Sequence, residues 1–199
     1  NGTVPTVEYT ISDGNGGAAT GMLNITLTPV NDNPVAVEDK LTTSEDLPLS
    51  DNVLPNDSDV DGNTLSVTQF SVAGQTYAAG STATITGVGT LTMNVNGTWT
   101  FIADKDFNGD VPVATYTISD GEGGTATATL TITVTPVNDD PVAPDTSNIT
   151  PEDTQVSANV LTNANDIDGD ALTVTGFRIG TTDYPVGTTA TIAGIGTFV

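Results

Sequence analysis

The side chains with the most chemistry to offer are carboxylates, and they come in clusters. Glu45-Asp46 recurs as Glu152-Asp153. Asp57-Ser58-Asp59-Val60-Asp61-Gly62-Asn63 returns, with changes, as Ala164-Asn165-Asp166-Ile167-Asp168-Gly169-Asp170. A third cluster, Asp104-Lys105-Asp106, runs into Phe107-Asn108-Gly109-Asp110. A fourth opens at an Asp-Gly turn (Asp13, Asp120) and leads to a linker, Asn31-Asp32-Asn33-Pro34 or Asn138-Asp139-Asp140-Pro141. Carboxylates packed this densely repel one another at neutral pH. A hard divalent cation turns that repulsion into a crosslink, and Ca²⁺ takes about six to eight oxygen ligands.

The rest of the composition removes most other chemistry. The 199 residues include 25 acidic and 3 basic side chains, no Cys and no His, for a formal net charge of −22. Zinc sites, Cys or His nucleophiles and Ser-His-Asp triads are excluded. Three cations neutralise too few phosphates for a nucleic-acid role. No apolar run approaches the length of a membrane-spanning helix, and no signal-peptide pattern is present. The acidic residues are mostly Asp, grouped with Gly and Asn, and between the groups lie Thr-, Val-, Ile- and Leu-rich runs that favour strands over disorder.

Three of the four clusters recur at one offset; Asp104-Lys105-Asp106 has no counterpart within the chain. Tyr9-Thr10-Ile11-Ser12-Asp13-Gly14 matches Tyr116 to Gly121, and Thr28-Pro29-Val30-Asn31-Asp32 matches Thr135 to Asp139. Asn52-Val53-Leu54 matches Asn159-Val160-Leu161. The offset is 107 each time, without gaps, and 49 of the 92 overlapping positions are identical. A fixed period of this kind marks a tandem array. The expected organisation is residues 1–36 as the C-terminal part of one repeat, 37–143 as a complete repeat and 144–199 as the N-terminal part of another. The chain thus reads as a window on a longer array, and its two partial repeats cover complementary phases. Head-to-tail association of copies is one expectation that follows.

Within the complete repeat the strands are short. Leu65 to Phe70, Leu91 to Val95 and Trp99 to Phe101 alternate apolar with polar, and Val113 to Ile118 and Ala126 to Val134 flank a Gly-rich turn. Asn96-Gly97 signals a second hairpin. No stretch carries a helical period. About seven strands in roughly 100 residues suggest an all-β, immunoglobulin-like antiparallel sandwich, with Trp99, Phe101, Tyr116, Leu130 and Ile132 in its core.

Taken together, these motifs resemble cadherin-type repeats, and in wording the bacterial branch found in giant secreted adhesins, often of the RTX or biofilm type. The stretch from Tyr116 to Pro141 looks like that family's closing two strands and linker. Glu45 resembles its calcium-binding first-strand Glu, Asp59 and Asp61 its Asp-x-Asp pair, and Asp104 and Asp106 its acidic pair before the sixth strand. The resemblance implies calcium between consecutive domains. One junction would use Asn31, Asp32 and Asn33 with Asp59, Asp61 and Asp120. The next would use Glu45, Asp104, Asp106, Asn138, Asp139 and Asp140 with Asp166 and Asp168. Pro29 and Pro136 replace the linker's first Asp, which implies fewer ions per junction, and some ligands of each junction fall outside the chain.

The function so implied is structural: a calcium-rigidified extender in a long extracellular adhesin or surface fibre, secreted or cell-attached. Its partners would be neighbouring repeats of the same polypeptide. The alternatives are a filament-forming subunit with complemented ends, and a carbohydrate- or protein-binding adhesive module. Asp57 to Asp61 imitates an EF-hand start, but Thr68 stands where that loop needs Glu, and Ala164 breaks the second copy. Asp104 with Asp106 as a glycosidase pair, Trp99 as a sugar platform, and Lys40 or Lys105 in a Lys–Asn crosslink all lack a supporting pattern. Asn24, Asn56, Asn96 and Asn148 lie in Asn-x-Ser/Thr sequons, a frequent coincidence in a Thr-rich chain.

Overall fold

The computed structural model describes residues 4–199, so the first three positions of the N-terminal partial repeat lie outside the described residues. The chain divides into two compact units, Asn1–Thr135 and Pro136–Val199. Among the described residues there is no helix, so none crosses a membrane as one.

The first unit begins with a two-stranded antiparallel hairpin, β1 (Val7–Ser12) and β2 (Ala18–Leu23). The sandwich follows. Its strands are β3 (Asp39–Ser44), β4 (Leu49–Asn52), β5 (Ser66–Val72), β6 (Gln75–Ala78), β7 (Thr82–Ile85), β8 (Gly89–Met93), β9 (Thr98–Ala103), β10 (Gly109–Asp110), β11 (Ala114–Ser119) and β12 (Thr125–Thr135). One sheet has the order β10-β12-β11-β5-β6, with β3 running parallel to β12. The other is β4-β9-β8-β7, antiparallel throughout. The second unit contains two hairpins: β13 (Gly176–Ile179) with β14 (Thr182–Pro185), and β15 (Ala190–Ile192) with β16 (Gly196–Phe198).

Alternation drives this layout. Along β8 and β9 every second residue is buried, and the same holds along β11 and the second half of β12. These inward faces meet in one core of Trp99, Tyr116, Phe70, Phe101, Leu91 and Ile118, joined by Leu130 and Ile132. All five residues expected in the core are in it, and the chain is an all-β, immunoglobulin-like sandwich. Both expected hairpins form. What the pattern does not foretell is β6, a four-residue strand behind an Ala73-Gly74 turn. Ala73 adopts a φ of 50°, which a non-glycine residue takes only where the turn demands it.

One polar cluster is built into this core's edge. The Tyr116 hydroxyl lies 2.9 Å from both the Val37 carbonyl and Asp39 Oδ2, and Asn56 Nδ2 donates to Asp39 Oδ1 at 3.1 Å. The bond clamps the strand leading out of the first linker onto β11. Burial raises the pKa of Asp39 above the usual carboxylate range, and the Tyr116 and Asn56 bonds only partly offset it. A raised folded-state pKa means that ionising Asp39 costs stability, which is intact below the unfolded pKa and lost as pH rises through the folded one. Tyr116→Phe removes a bond to a charged acceptor, a loss of about 2 kcal/mol, and pushes Asp39 further up. The expected result is a lowered melting temperature at pH 7 whose deficit narrows near pH 4. A deficit independent of pH would show that Asp39 does not depend on the phenol.

Candidate metal centre

Asp59 builds its own turn. Its Oδ1 accepts the backbone N–H groups of Asp61 at 2.9 Å and Asn63 at 3.3 Å, and Gly62 supplies the positive φ of 78° that the turn needs. The fold therefore spends one carboxylate oxygen on shaping the loop. The other, Asp59 Oδ2, is buried with no hydrogen-bond partner. A buried polar atom left in this state is costly.

The linker docks on this turn. The Asp32 N–H donates to Asp61 Oδ2 at 2.8 Å, and Val35 and Ser58 exchange backbone bonds at 2.7 and 3.0 Å. Asn31 bridges sideways: its Nδ2 donates to Asp120 Oδ2 at 2.7 Å, and its Oδ1 accepts from Asn63 Nδ2 at 2.9 Å. Asn33 Oδ1 lies over Gly124, 3.0 Å from where a Cβ would sit. Asn31, Asp32, Asn33, Asp59, Asp61 and Asp120 thus converge on one patch. Asp32 contributes its backbone there. The oxygens of Asp59, Asp61 and Asp120 do not all come within 4.8 Å of one another; Asn31 reaches between the turns instead.

Asp120 is buried, 5 % exposed, at the tip of the β11–β12 hairpin. The Asn31 amide holds its carboxyl below the ordinary range, as do the backbone N–H groups of Glu122 and Gly124 at 2.8 and 3.0 Å from Oδ1. Asp13 makes the same turn in β1–β2, accepting from Asn15 and Gly17, and its pKa is lowered by those two donors. The Asp-Gly turn is therefore a backbone device in both copies, and Asp120 serves the linker in addition.

At the opposite end of the sandwich, Glu45 is 2 % exposed and follows β3. Its N–H donates to the Thr135 carbonyl at 3.0 Å, and Asn108 Nδ2 stands 3.5 Å from its Oε2. Asp46 and Asp106 bring carboxylate oxygens within 4.8 Å of each other, and both hold positive φ angles, 61° and 58°. Lys105 Nζ bonds both oxygens of Asp106 at 2.8 and 2.7 Å. Asp104 shapes the loop with its backbone and leaves its carboxylate exposed. Asp46, Asn63 and Asn108 stand in the acidic clusters of the sequence but were not among the expected ligands; Asp46 shares its left-handed backbone with its counterpart Asp153, whose φ is 60°.

The second unit repeats the first cradle. Asp166 Oδ1 accepts from Asp168 and Asp170 at 3.0 and 3.2 Å, and the Asp139 N–H donates to Asp168 Oδ2 at 2.7 Å. Val142 pairs with Asn165 as Val35 pairs with Ser58. Asn138 Nδ2 donates to the Asp139 carbonyl at 3.0 Å, and Asp140 is exposed. These are groups of hard oxygen donors, of the kind that hold a metal ion.

A sandwich repeat whose acidic linker is tied to the following Asp-x-Asp turn belongs to the class of tandem immunoglobulin- and cadherin-like modules. Residues 31–136, more than half of the chain, match the bacterial cadherin-like domain, and the chain belongs to that family. Residues 138–199 match the bacterial Ig domain. Such domains are typically non-enzymatic structural modules of extracellular or surface proteins, strung with neighbours in one chain. No curated protein matches the sequence. One similar solved structure is a nucleoside hydrolase-related hypothetical protein from Saccharophagus degradans, described as associated with carbohydrate metabolism. It is 19 % identical over 53 % of this chain and 26 % of that one, with a TM-score of 0.37. This chain spans about a quarter of that protein's length, and at that score the likeness carries no argument.

Gly124 tests the first cradle directly. A Cβ there would lie 2.1 Å from Asp120 Oδ2. Gly124→Ala is expected to push the carboxylate off Asn31 and to cost about 1–3 kcal/mol as an overpacked site. Denaturant unfolding measures the cost, and an unchanged midpoint would show that the hairpin tip yields freely.

Proposed function

We propose that this chain is a calcium-rigidified extender of a long extracellular bacterial adhesin or surface fibre. The observation that carries the reading is the cradle itself, built twice at the same offset. In each copy a linker Asp N–H sits on the second Asp of an Asp-x-Asp turn, at 2.8 and 2.7 Å. In the first copy a buried oxygen of the leading Asp has no partner.

The donors suit Ca²⁺: they are carboxylate and amide oxygens, in a chain with no imidazole or thiolate to offer. Asn31, Asp32, Asn33, Asp59, Asp61 and Asp120 are the ligands we assign to the first cradle. The sandwich presents Glu45, Asp104 and Asp106 as further ligands, and the second unit presents Asn138, Asp139, Asp140, Asp166 and Asp168. Repeat boundaries near residues 36 and 143 follow from the same reading. Bound calcium supplies positive charge among crowded carboxylates. The chain's own residues do the rest. The Asx turns at Asp59 and Asp166 hold each loop in shape, and the linker amides fix the approach of the chain. A linker so tied loses its swivel freedom, which is the property an extender needs.

A thermal melt with and without calcium tests this. Extracellular modules bind Ca²⁺ with Kd of about 10⁻⁴–10⁻³ M, so tens of millimolar calcium is near-saturating. A ligand at 100 times its Kd adds about 2.7 kcal/mol per site, a rise of roughly 10 °C or more for a domain of this size. Asp59→Ala and Asp139→Ala should each lose part of that rise while still unfolding cooperatively in excess calcium. An identical melt in EDTA and in calcium would reject the reading.

A further inference from the structure

The linker and the Asp-x-Asp turn are complete in both copies, and they differ in few places. Between residues 28–36 and 135–143 the one change is Asn33 to Asp140. In the turn, Asn63 becomes Asp170. Both changes turn an amide into a carboxylate. The neighbouring changes, Ser58 to Asn165, Val60 to Ile167 and Thr64 to Ala171, add no charge. Asp57 becomes Ala164, but Asp57 serves the body of the repeat, its Oδ1 accepting the Val37 N–H at 2.8 Å.

Asn63 has a defined task in the first copy. Its backbone N–H meets Asp59 Oδ1 at 3.3 Å, and its side-chain Nδ2 donates to Asn31 Oδ1 at 2.9 Å. Asn31 passes the polarity on, its own Nδ2 donating to Asp120 Oδ2 at 2.7 Å. Two amides thus form a relay that ends on a carboxylate, with N–H groups as the positive ends. In the second copy Asp170 keeps the backbone part, its N–H meeting Asp166 Oδ1 at 3.2 Å. Its ionised side chain can only accept.

A carboxylate in place of Asn63 shows what that difference does. With Asn31 unmoved, its Oδ1 would face a carboxylate oxygen. With the Asn31 amide flipped, Oδ1 would face Asp120 Oδ2 instead. Either way two oxygens stand about 3 Å apart with no proton between them, and a cation is what joins them.

We propose that the residue at this position sets how far each linker depends on calcium. Asn63 lets the first linker dock through amide donors. Asp170, with Asp140 in the linker, makes docking of the second linker depend on a bound cation. It also tightens the hold on that cation, because Ca²⁺ affinity follows the charge count of the ligands. Over 28–36 and 58–63 the acids are Asp32, Asp59 and Asp61; over 135–143 and 165–170 they are Asp139, Asp140, Asp166, Asp168 and Asp170. The backbone bond from linker to turn is common to both copies, so the difference lies in these side chains. The inference rests on the calcium reading above and adds a gradation to it: repeats of one array stiffen at different calcium concentrations.

Two backbone amides report the linkers separately, the Asp32 N–H on Asp61 and the Asp139 N–H on Asp168. A calcium titration of the 199-residue chain, followed by the NMR shifts of these amides, is the test. Each variant is compared with the parent at its own linker, so differences between the linkers in their other ligands cancel. Asn63→Asp should lower the calcium midpoint at Asp32 about tenfold, and Asp170→Asn should raise the midpoint at Asp139 by a similar factor. The other linker should keep its parent midpoint in each case. In EDTA, Asn63→Asp should speed hydrogen exchange of the Asp32 N–H, and calcium should reverse this. Asn63→Ala removes the donor without adding charge, so it should speed exchange with no tightening of calcium binding. Asp170→Asn only removes a charge, and it reports even where Asn63→Asp unfolds its turn. An unchanged midpoint in either folded variant, with calcium still binding, would overturn the assignment and leave the calcium reading standing. If neither amide responds to tens of millimolar calcium in parent or variants, both fall together.

Discussion

The Asp32 N–H and the Asp139 N–H each end on a carboxylate oxygen of the second Asp in an Asp-x-Asp turn. Much of the rest depends on that bond. It holds the linker at a fixed distance from the turn. The two-way bridge that follows (Val35 with Ser58, Val142 with Asn165) then converts linker backbone into an edge of the repeat it enters. A carboxylate can accept such a bond in a defined direction only if its own loop is rigid. Asp59 and Asp166 provide that rigidity by capping the loop N–H groups with one oxygen each. The order of dependence runs from the Asx turn to the linker amide, and from there to the path of the chain.

This arrangement also sorts the carboxylates into two kinds. Those in turns, Asp13 and Asp120, are held ionised by N–H donors, and their pKa values fall. Both sit at hairpin tips, and Asp120 also meets the linker through Asn31. Asp39 lies against the sandwich, loses water faster than it gains donors, and rises. Its role is structural: it accepts from Tyr116 and so ties the start of the repeat to β11. Asp13, Asp59, Asp120 and Asp166 are used locally by backbone amides.

The alternating strands β5, β8, β9, β11 and β12 were legible because one face of each is buried and the other is mostly Thr. Strands β3, β4, β6, β7 and β10 were not. They are two to six residues long, and β3 pairs parallel with a strand about ninety positions away, a contact that no local pattern encodes. Most of the acidic clusters were legible through repetition at 107 residues, Asp104 and Asp106 only through their spacing. The amides Asn63 and Asn108 were not, because an Asn between two acidic loops reads as an ordinary turn residue until packing shows which oxygen it reaches. Asp46 belongs with them: its left-handed backbone, shared with Asp153, is a property of the folded loop.

The two copies inside the chain differ in an instructive way. Across 11–20, the Asp-Gly turn and the strand that follows it, eight of ten positions match their counterparts; across 71–80, the β5–β6 turn and strand β6, only two of ten do. The shared segment holds a turn whose backbone N–H groups donate to the carboxylate of its own Asp, at Asp13 and at Asp120. The divergent segment is mostly surface, where a substitution changes what the repeat presents and leaves its fold alone. Arg178 and Asp183 arise in that divergent stretch, as counterparts of Ser71 and Thr76. A module that must repeat its joints can thus vary its faces freely. In this chain the variation has placed one of its few positive charges on the strand whose counterpart, in the complete repeat, pairs with β11.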